Sequence, residues 1–269
     1  PHFETPYTRD QFLLDYAVDY SPDGGLNQNQ IAIGDHLNDI QLTGSSPELA
    51  DFFSSIFLIP DSGTLGATYD GLSAEPYLAT PVATMFASEE FASSLMSCRA
   101  FGGLSHHDPE GQCAWLRLFG GTLEHFGTSE TLAFQEDSVG LGAGAQFAIG
   151  DRFHGGVGFS VEDLKGYGHG TVSEGLRFQG GGVIKYQAGA TKLAGSVLAG
   201  YAKSDHTRSF TVPNLGSFVS EATEDTRYVG AHLHASHMFG GPEGYVRPTV
   251  DLGLTHVMWG GFQESGAGP

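Results

Sequence analysis

Positive charge is scarce in this chain. Its 269 residues carry 12 Lys and Arg against 31 Asp and Glu, a formal net charge of −19. That excludes nucleic acid as a partner, because phosphate contacts need Lys and Arg. Charged residues make up only 16% of the chain, so the imbalance comes from missing bases rather than from acidic runs. Long apolar stretches are also missing. No run of 18 apolar residues occurs, which excludes a transmembrane helix but not a transmembrane barrel, whose strands signal far more weakly. There are only two cysteines, Cys98 and Cys113. The chain opens Pro-His-Phe, without Met and without a basic-then-apolar leader, and closes on the loop-like "ESGAGP". Both ends read as cut, so a fragment is expected.

One short motif invites a catalytic reading. Gly34-Asp35-His36-Leu37 resembles the Gly-Asp-Ser-Leu block that carries the nucleophile of a large esterase family. The reactive hydroxyl is absent, since His36 stands where the serine belongs. An imidazole does not replace an oxygen nucleophile held against a base. No catalysis is expected from it.

What is abundant is glycine, 40 residues without a three-residue period. The chain divides by periodicity. Residues 27–98 read as helices. Asn29 or Asn27 caps a first helix carrying Ile33, Leu37 and Ile40. Ser46, Pro47 and Glu48 open a second, with Leu49, Phe52, Phe53, Ile56 and Phe57 as one apolar face. Asp61-Ser62-Gly63 breaks it. A shorter helix carries Leu65, Tyr69 and Leu72, and a last one runs from about Tyr77 to Cys98, with Pro81 near its start. Apolar faces of this kind are first of all core packing.

From residue 112 the period becomes two. Val139, Leu141, Ala143, Ala145, Phe147 and Ile149 alternate with Gly140, Gly142, Gly144, Gln146 and Ala148. Leu176, Phe178, Ile184 and Tyr186 oppose Arg177, Gln179, Lys185 and Gln187. Val229, Ala231, Leu233 and Ala235 oppose Tyr228, Gly230, His232 and His234. Val246, Val250, Leu252 and Leu254 oppose Tyr245, Arg247, Thr249, Asp251 and Thr255. Stretches near 113–122, 153–162 and 193–203 fit less cleanly, and about seven strands are expected. A soluble sandwich also alternates. Three features favour a membrane barrel instead. The strands run to about ten residues. Glycines recur on the non-apolar face, where a solvated strand gains nothing from them and a crowded lumen does. Short turns near 150–151, 188–191 and 240–244 alternate with longer polar links near 122–134, 163–174 and 203–226.

On these residues the chain resembles the C-terminal region of a bacterial type V autotransporter. "LNQNQIAIGDHLNDI" is similar to the Asn-Gln helix after the passenger. Leu72-Ser73-Ala74-Glu75-Pro76-Tyr77 is similar to a Leu-Ser-Gly-Glu-x-Tyr segment, with Ala74 for Gly and Pro76 intruding. "CAWLRLFGG" is similar to the first barrel strand, and "YVRPTVDLGLTHVMWGGFQESGAG" to a late-middle strand and its loop. The resemblance implies a mainly β fold, a twelve-stranded antiparallel transmembrane barrel in the outer membrane, of which this sequence holds about seven strands. It also implies a helix threading the pore and export of an N-terminal passenger to the cell surface. Residues 1–26 would end the passenger, 27–111 would be a helical linker with the pore helix, and 112–269 a partial barrel. The Gly34–Leu37 letters then fall inside the linker helix.

The implied partners are outer-membrane lipid, the barrel assembly machinery and the chain's own passenger. Passage through an oxidising periplasm implies a disulfide between Cys98 and Cys113. Glu162, Arg177, Lys185, His232, His234, Arg247 and Asp251 are expected to line the lumen as polar residues around the helix. His232-x-His234 has metal-ligand spacing without an evident third ligand, so neither a metal nor a cofactor is expected. His106-His107-Asp108 reads as a solvated loop. Residues 77–98 contain no Asn, which argues against passenger release by chemistry at a pore asparagine. Two other readings stay open: a porin-like channel, and the translocator of a hydrolase passenger.

Overall fold

A computed structural model describes residues 2–4, 7–8, 11–12, 15–44, 47–98, 110–241 and 244–266. Ser46, His106, His107 and Asp108 lie outside the described residues. Four short strands open the chain: β1 (His2–Glu4), β2 (Tyr7–Thr8), β3 (Gln11–Phe12) and β4 (Asp15–Ala17). β1 pairs with β4 and β2 with β3.

Helix α1 (Gln28–Gly44) starts at Asn27. The Asn27 Oδ1 accepts from the Gln30 amide at 2.8 Å, and the Gln30 Oε1 accepts from the Asn27 amide at 2.9 Å. This reciprocal cap satisfies two amides that the first helical turn leaves unpaired. A 3-10 turn, Pro47–Leu49, leads into α2 (Ala50–Phe57), which buries Phe53 and Ile56. Phe57, expected on that face, is exposed instead. Asp61 does more than end α2: its carboxylate accepts from the Thr64 amide at 2.8 Å and caps α3 (Ser62–Leu72). A second 3-10 turn, Glu75–Leu78, contains Pro76, and α4 (Ala79–Met96) follows. Pro81 sits in the first turn of α4, where no backbone donor is needed. At 1.5 Å per residue α4 is about 27 Å long. Among the described residues no helix is long and apolar enough to cross a membrane, which says nothing of a β-barrel.

Seven long strands follow: β5 (Cys113–His125), β6 (Phe134–Ala148), β7 (Phe153–Gly168), β8 (Thr171–Ala188), β9 (Thr191–Val212), β10 (Gly216–His237) and, after β11 (Phe239–Gly241) and β12 (Gly244–Val246), β13 (Thr249–Trp259). They form one antiparallel meander in the order β13-β10-β9-β8-β7-β6-β5, with β5 and β13 as its edges. A two-residue strand, β14 (Ser265–Gly266), adds to β10. The sheet wraps round α4, which touches β6, β7, β8, β9, β10 and β13.

Two sequence expectations need correction. The stretches 163–174 and 203–226 are not loops. They are the ends of strands, closed by turns at 169–170 and 213–215. The pleat continues while the outward residues change. On β7 Phe153, Val157, Phe159 and Val161 give way to Asp163 and Lys165, and on β9 Val197 gives way to Lys203, Asp205 and Thr207. Loss of apolar alternation read as loop, but a strand in water needs no outward apolar side chain. Second, the stretch Tyr245–Thr255 is not one strand. It breaks at Arg247-Pro248, and β12 folds back on β11. Pro248 has no amide to give a ladder.

The long β9–β10 hairpin carries α1–α3. Val212 joins Tyr20, Leu37, Phe53, Ile56 and Tyr69 in one buried apolar cluster, flanked by Phe210, Leu215 and Phe218. The start of α1 is tied to the link between β5 and β6. Asn27 Nδ2 donates to the Ser129 carbonyl at 3.0 Å, and Asn29 Nδ2 to the Glu130 carbonyl at 2.7 Å. Gln30 Nε2 donates to Asp70 on α3 at 2.9 Å. The Asn-Gln motif therefore acts through its side-chain amides, and His36 stays exposed on the helix surface.

Candidate functional site

The concave face of the sheet and α4 form the site. Residues 10–98 contain no Lys or Arg, so the cationic side chains described around α4 come from the sheet and its connections. At the middle of the helix stands Arg177 of β8, 1% exposed. Its Nη1 donates to Glu162 Oε2 at 3.0 Å, its Nη2 to Glu136 Oε1, and its Nε to Thr84 Oγ1 on α4 at 3.3 Å. Gln179 Nε2 donates to the other oxygen of Glu162 at 2.7 Å. A buried guanidinium thus has two carboxylates and a helix hydroxyl, the pairing a charge needs away from water.

The C-terminal end of α4 meets a second group. Lys185 Nζ donates to the Met96 carbonyl at 2.7 Å, to the Cys98 carbonyl at 3.3 Å and to Glu110 Oε2 at 3.2 Å. An ammonium there satisfies free helix carbonyls and complements the negative end of the dipole. Arg117 Nη1 on β5 donates to Ser94 Oγ at 2.7 Å. Cys98 is joined to Cys113 by a disulfide, with Cα atoms 6.1 Å apart, which ties the end of the helix to the first long strand. Lys192 pairs with Glu110 at 3.5 Å.

The N-terminal end is held at the opposite rim. Tyr77, fully buried, donates to Glu264 Oε1 at 2.6 Å and sits edge-on to the ring of His206. Arg208 pairs with Glu264 and donates to the Gly71 carbonyl at 2.8 Å, at the end of α3. His206 Nε2 lies 3.1 Å from Glu224 Oε2. Further hydroxyl contacts run along the helix, Thr80 to Ser204 and Ser88 to Thr255.

Glycine makes the room. A Cβ on Gly142 would lie 2.3 Å from the Phe119 ring, one on Gly144 2.5 Å from Trp115, and one on Gly158 2.9 Å from Leu95 of α4. The inward glycines are thus where large side chains and the helix cross the wall. Outward, Leu116, Leu118, Val139, Leu141, Val157, Phe159, Phe178, Ile184 and Val197 are exposed and form an apolar belt. On β7 the belt runs from Phe153 to Val161, about 27 Å along the strand, close to the height of a lipid-facing band.

The expected lumen residues fall as follows. Glu162, Arg177 and Lys185 are brought together with α4 as described. His232, His234, Arg247 and Asp251 line a cavity of about 520 Å³ between the end of α4 and β10–β13. His234 Nδ1 lies 2.6 Å from Asp251 Oδ1, and His232 packs over Gly253. Arg247 stands on the connection before β13, over the ring of Tyr245. Among the described residues no three His, Cys, Asp or Glu side chains are placed to hold a metal. Sequence reasoning missed Glu136, Arg117, Tyr77, His206 and Glu264. Glu136 was within reach, because it shares the even-numbered face of β6 with Gly140 and Gly142. Glu264 lies in an irregular segment with no period to read.

A family model for the autotransporter beta-domain matches residues 114–269. No curated protein matches the chain. Among solved structures, the chain is similar to the translocator domain of autotransporter NalP from Neisseria meningitidis, with a TM-score of 0.59 and 12% identity. That likeness, which is one of fold, covers 72% of this chain and 65% of the other. On the matched residues, the chain belongs to the autotransporter beta-domain family.

Proposed function

We propose that this chain is an outer-membrane translocator that anchors an N-terminal passenger and exports it to the cell surface. The observation that carries the reading is the division of the sheet's two faces. The convex face is an exposed apolar belt, and the concave face holds a polar-locked helix. A water-soluble sheet would bury the apolar face, whereas lipid covers it at no cost. A membrane barrel has no free edge, so β5 and β13 must each find a partner strand in the membrane.

In this reading residues 1–26 end the passenger, 27–111 link it to the pore and thread it, and 112–269 form pore wall. Barrel assembly machinery inserts the wall, and lipid contacts the belt. Periplasmic oxidation joins Cys98 to Cys113. The chain itself carries out no catalysis; any hydrolase activity belongs to the passenger. A porin-like channel is disfavoured by α4, which lies in the curve of the sheet and is hydrogen-bonded to Arg117, Arg177 and Lys185 of its wall.

The test is surface accessibility. An epitope placed N-terminal to residue 18 in the full-length protein should be labelled on intact Gram-negative cells and shaved by added protease. An epitope in the 189–190 turn should need permeabilised cells. Labelling of the second without permeabilisation would reject the orientation.

A further inference from the structure

One face of α1 grips an extended piece of the chain. Gln41 Oε1 accepts from the Val18 amide at 3.1 Å, and Gln41 Nε2 donates to the Val18 carbonyl at 2.9 Å. Asn38 Oδ1 accepts from the Tyr20 amide at 2.9 Å. Tyr69 of α3 donates its hydroxyl to the Tyr20 carbonyl at 2.6 Å. The backbone of Val18 and Tyr20 thus receives from side chains the bonds that a neighbouring strand would supply. Gly34, one turn before Asn38, lets the segment come this close. A Cβ there would lie 2.4 Å from the Tyr20 carbonyl oxygen. The Tyr20 ring is 4% exposed and packs 5.3 Å from the Phe53 ring.

These contacts have the design of a peptide site. Recognition is mainly through the backbone, with one aromatic pocket for Tyr20. Polar contacts add to it at the rim, where Asn38 Nδ2 donates to Asp19 Oδ1 at 3.2 Å and to Ser21 Oγ at 3.1 Å, and Ser21 Oγ donates to Asp35 Oδ1 at 2.5 Å. The segment is joined to α1 by a loop in which Asp23, Gly24 and Gly25 are exposed and both glycines have positive φ, +85° and +86°. Exposed Gly-rich tips are where proteases cut.

We propose that the groove of Gly34, Asn38 and Gln41, backed by Phe53 and Tyr69, is a binding site for an extended peptide with one aromatic anchor. It holds the C-terminal stem of the exported passenger whether or not the chain stays continuous through the 22–26 loop. The placement of this groove outside the cell rests on the proposed export function. The binding itself does not.

The experiment inserts a site-specific protease sequence between Gly24 and Gly25 of the full-length protein, extracts it from the outer membrane in detergent, and cuts it. The N-terminal fragment is expected to co-elute with the remainder on size exclusion. A synthetic peptide of residues 15–23 in excess should displace it. The double variant Asn38→Ala/Gln41→Ala should release the fragment at least about tenfold faster, the loss expected for one or two net hydrogen bonds. Tyr20→Ser, which alters only the bound segment, should also release it while leaving the unfolding transition of the cut remainder unchanged. Immediate release of the unaltered fragment would overturn the proposal, as would equal retention by both variants. Surface labelling before the cut reports export separately, so failed labelling with intact co-elution would reject export and leave the groove standing.

Discussion

Two helical regions rest on the same sheet and are held by opposite means. α1–α3 sit on the far end of the β9–β10 hairpin through a continuous apolar cluster of Tyr20, Leu37, Phe53, Ile56, Tyr69 and Val212. α4 lies in the curve of the sheet and buries Thr80, Thr84, Ser88 and Ser94, with Phe91, Ala92 and Leu95 as a small apolar patch. The first region looks like an ordinary soluble domain. The second is fixed mainly by groups that water could equally well satisfy. A wall whose apolar side chains mostly point outward leaves largely polar and small residues to face the helix. Phe119, Val183, Leu198 and Tyr228 are the inward apolar exceptions, and they pack on Phe91, Ala92 and Leu95. The helix in turn must be slim and polar to fit them.

This contrast is sharpened first by Arg177→Ala. The change leaves Glu136 and Glu162 buried without a counter-charge, and a loss of about 3–5 kcal/mol is expected. Unfolding in detergent measures it, and adding Glu136→Gln and Glu162→Gln should recover most of it. Ile56→Ala should cost about 2–5 kcal/mol and act only on the other region. Hydrogen exchange should quicken across α1–α3 while amides of α4 and the strands within the belt keep their protection. Equal quickening in α4 would mean that the two regions fold as one.

The third prediction concerns the two faces of the wall. Leu252→Arg on the outward face of β13 should cost about 2–4 kcal/mol near the midplane. Asp251→Asn, on the inward face in a largely exposed pair with His234, should cost less than about 1 kcal/mol. Folding titrations in lipid vesicles compare them, and a one-residue slip in register would exchange the two results.

The smallest effect belongs to the cap of α3. The amide of Thr64 holds the Asp61 carboxyl below its ordinary value of 3.8. A depressed carboxyl contributes stability above 3.8 that is lost as pH falls through its folded value. Asp61→Ala should therefore lower the thermal midpoint of α1–α3 slightly at neutral pH and leave no difference in strong acid, as followed by circular dichroism.

Much of this was legible from residue order, for local reasons. The capping by Asn27, the face of α2 carrying Phe53 and Ile56, and the strand alternation around Gly140 or His232 are set by neighbours within a few residues. The limits of the strands were not legible. Between Asp163 and Glu174 the outward residues turn polar, and the same pattern describes a loop or a strand that has left the lipid. The partners of Arg177 are half legible: Glu162 and Arg177 both fall on the lumen face, but Glu136 lies between the link near 122–134 and the alternation that begins at Val139, where no apolar period marks it. Helical spacing places Phe57 on the core face of α2, yet its side chain is exposed while Phe53 and Ile56 are buried.

By itself, then, the sequence determined a helical stretch followed by two-faced strands with glycine inward and apolar residues outward. Those properties depend only on the 3.6- and 2-residue periods and on side-chain chemistry. Only the tertiary structure decided which residues meet. It set Arg177 between Glu136 and Glu162, Lys185 at the end of α4, Arg208 at the end of α3, and Gln41 against the backbone of Val18. Each of these contacts joins residues distant in the chain, fixed by strand register and by how tightly the sheet curves. No short-range pattern carries that information.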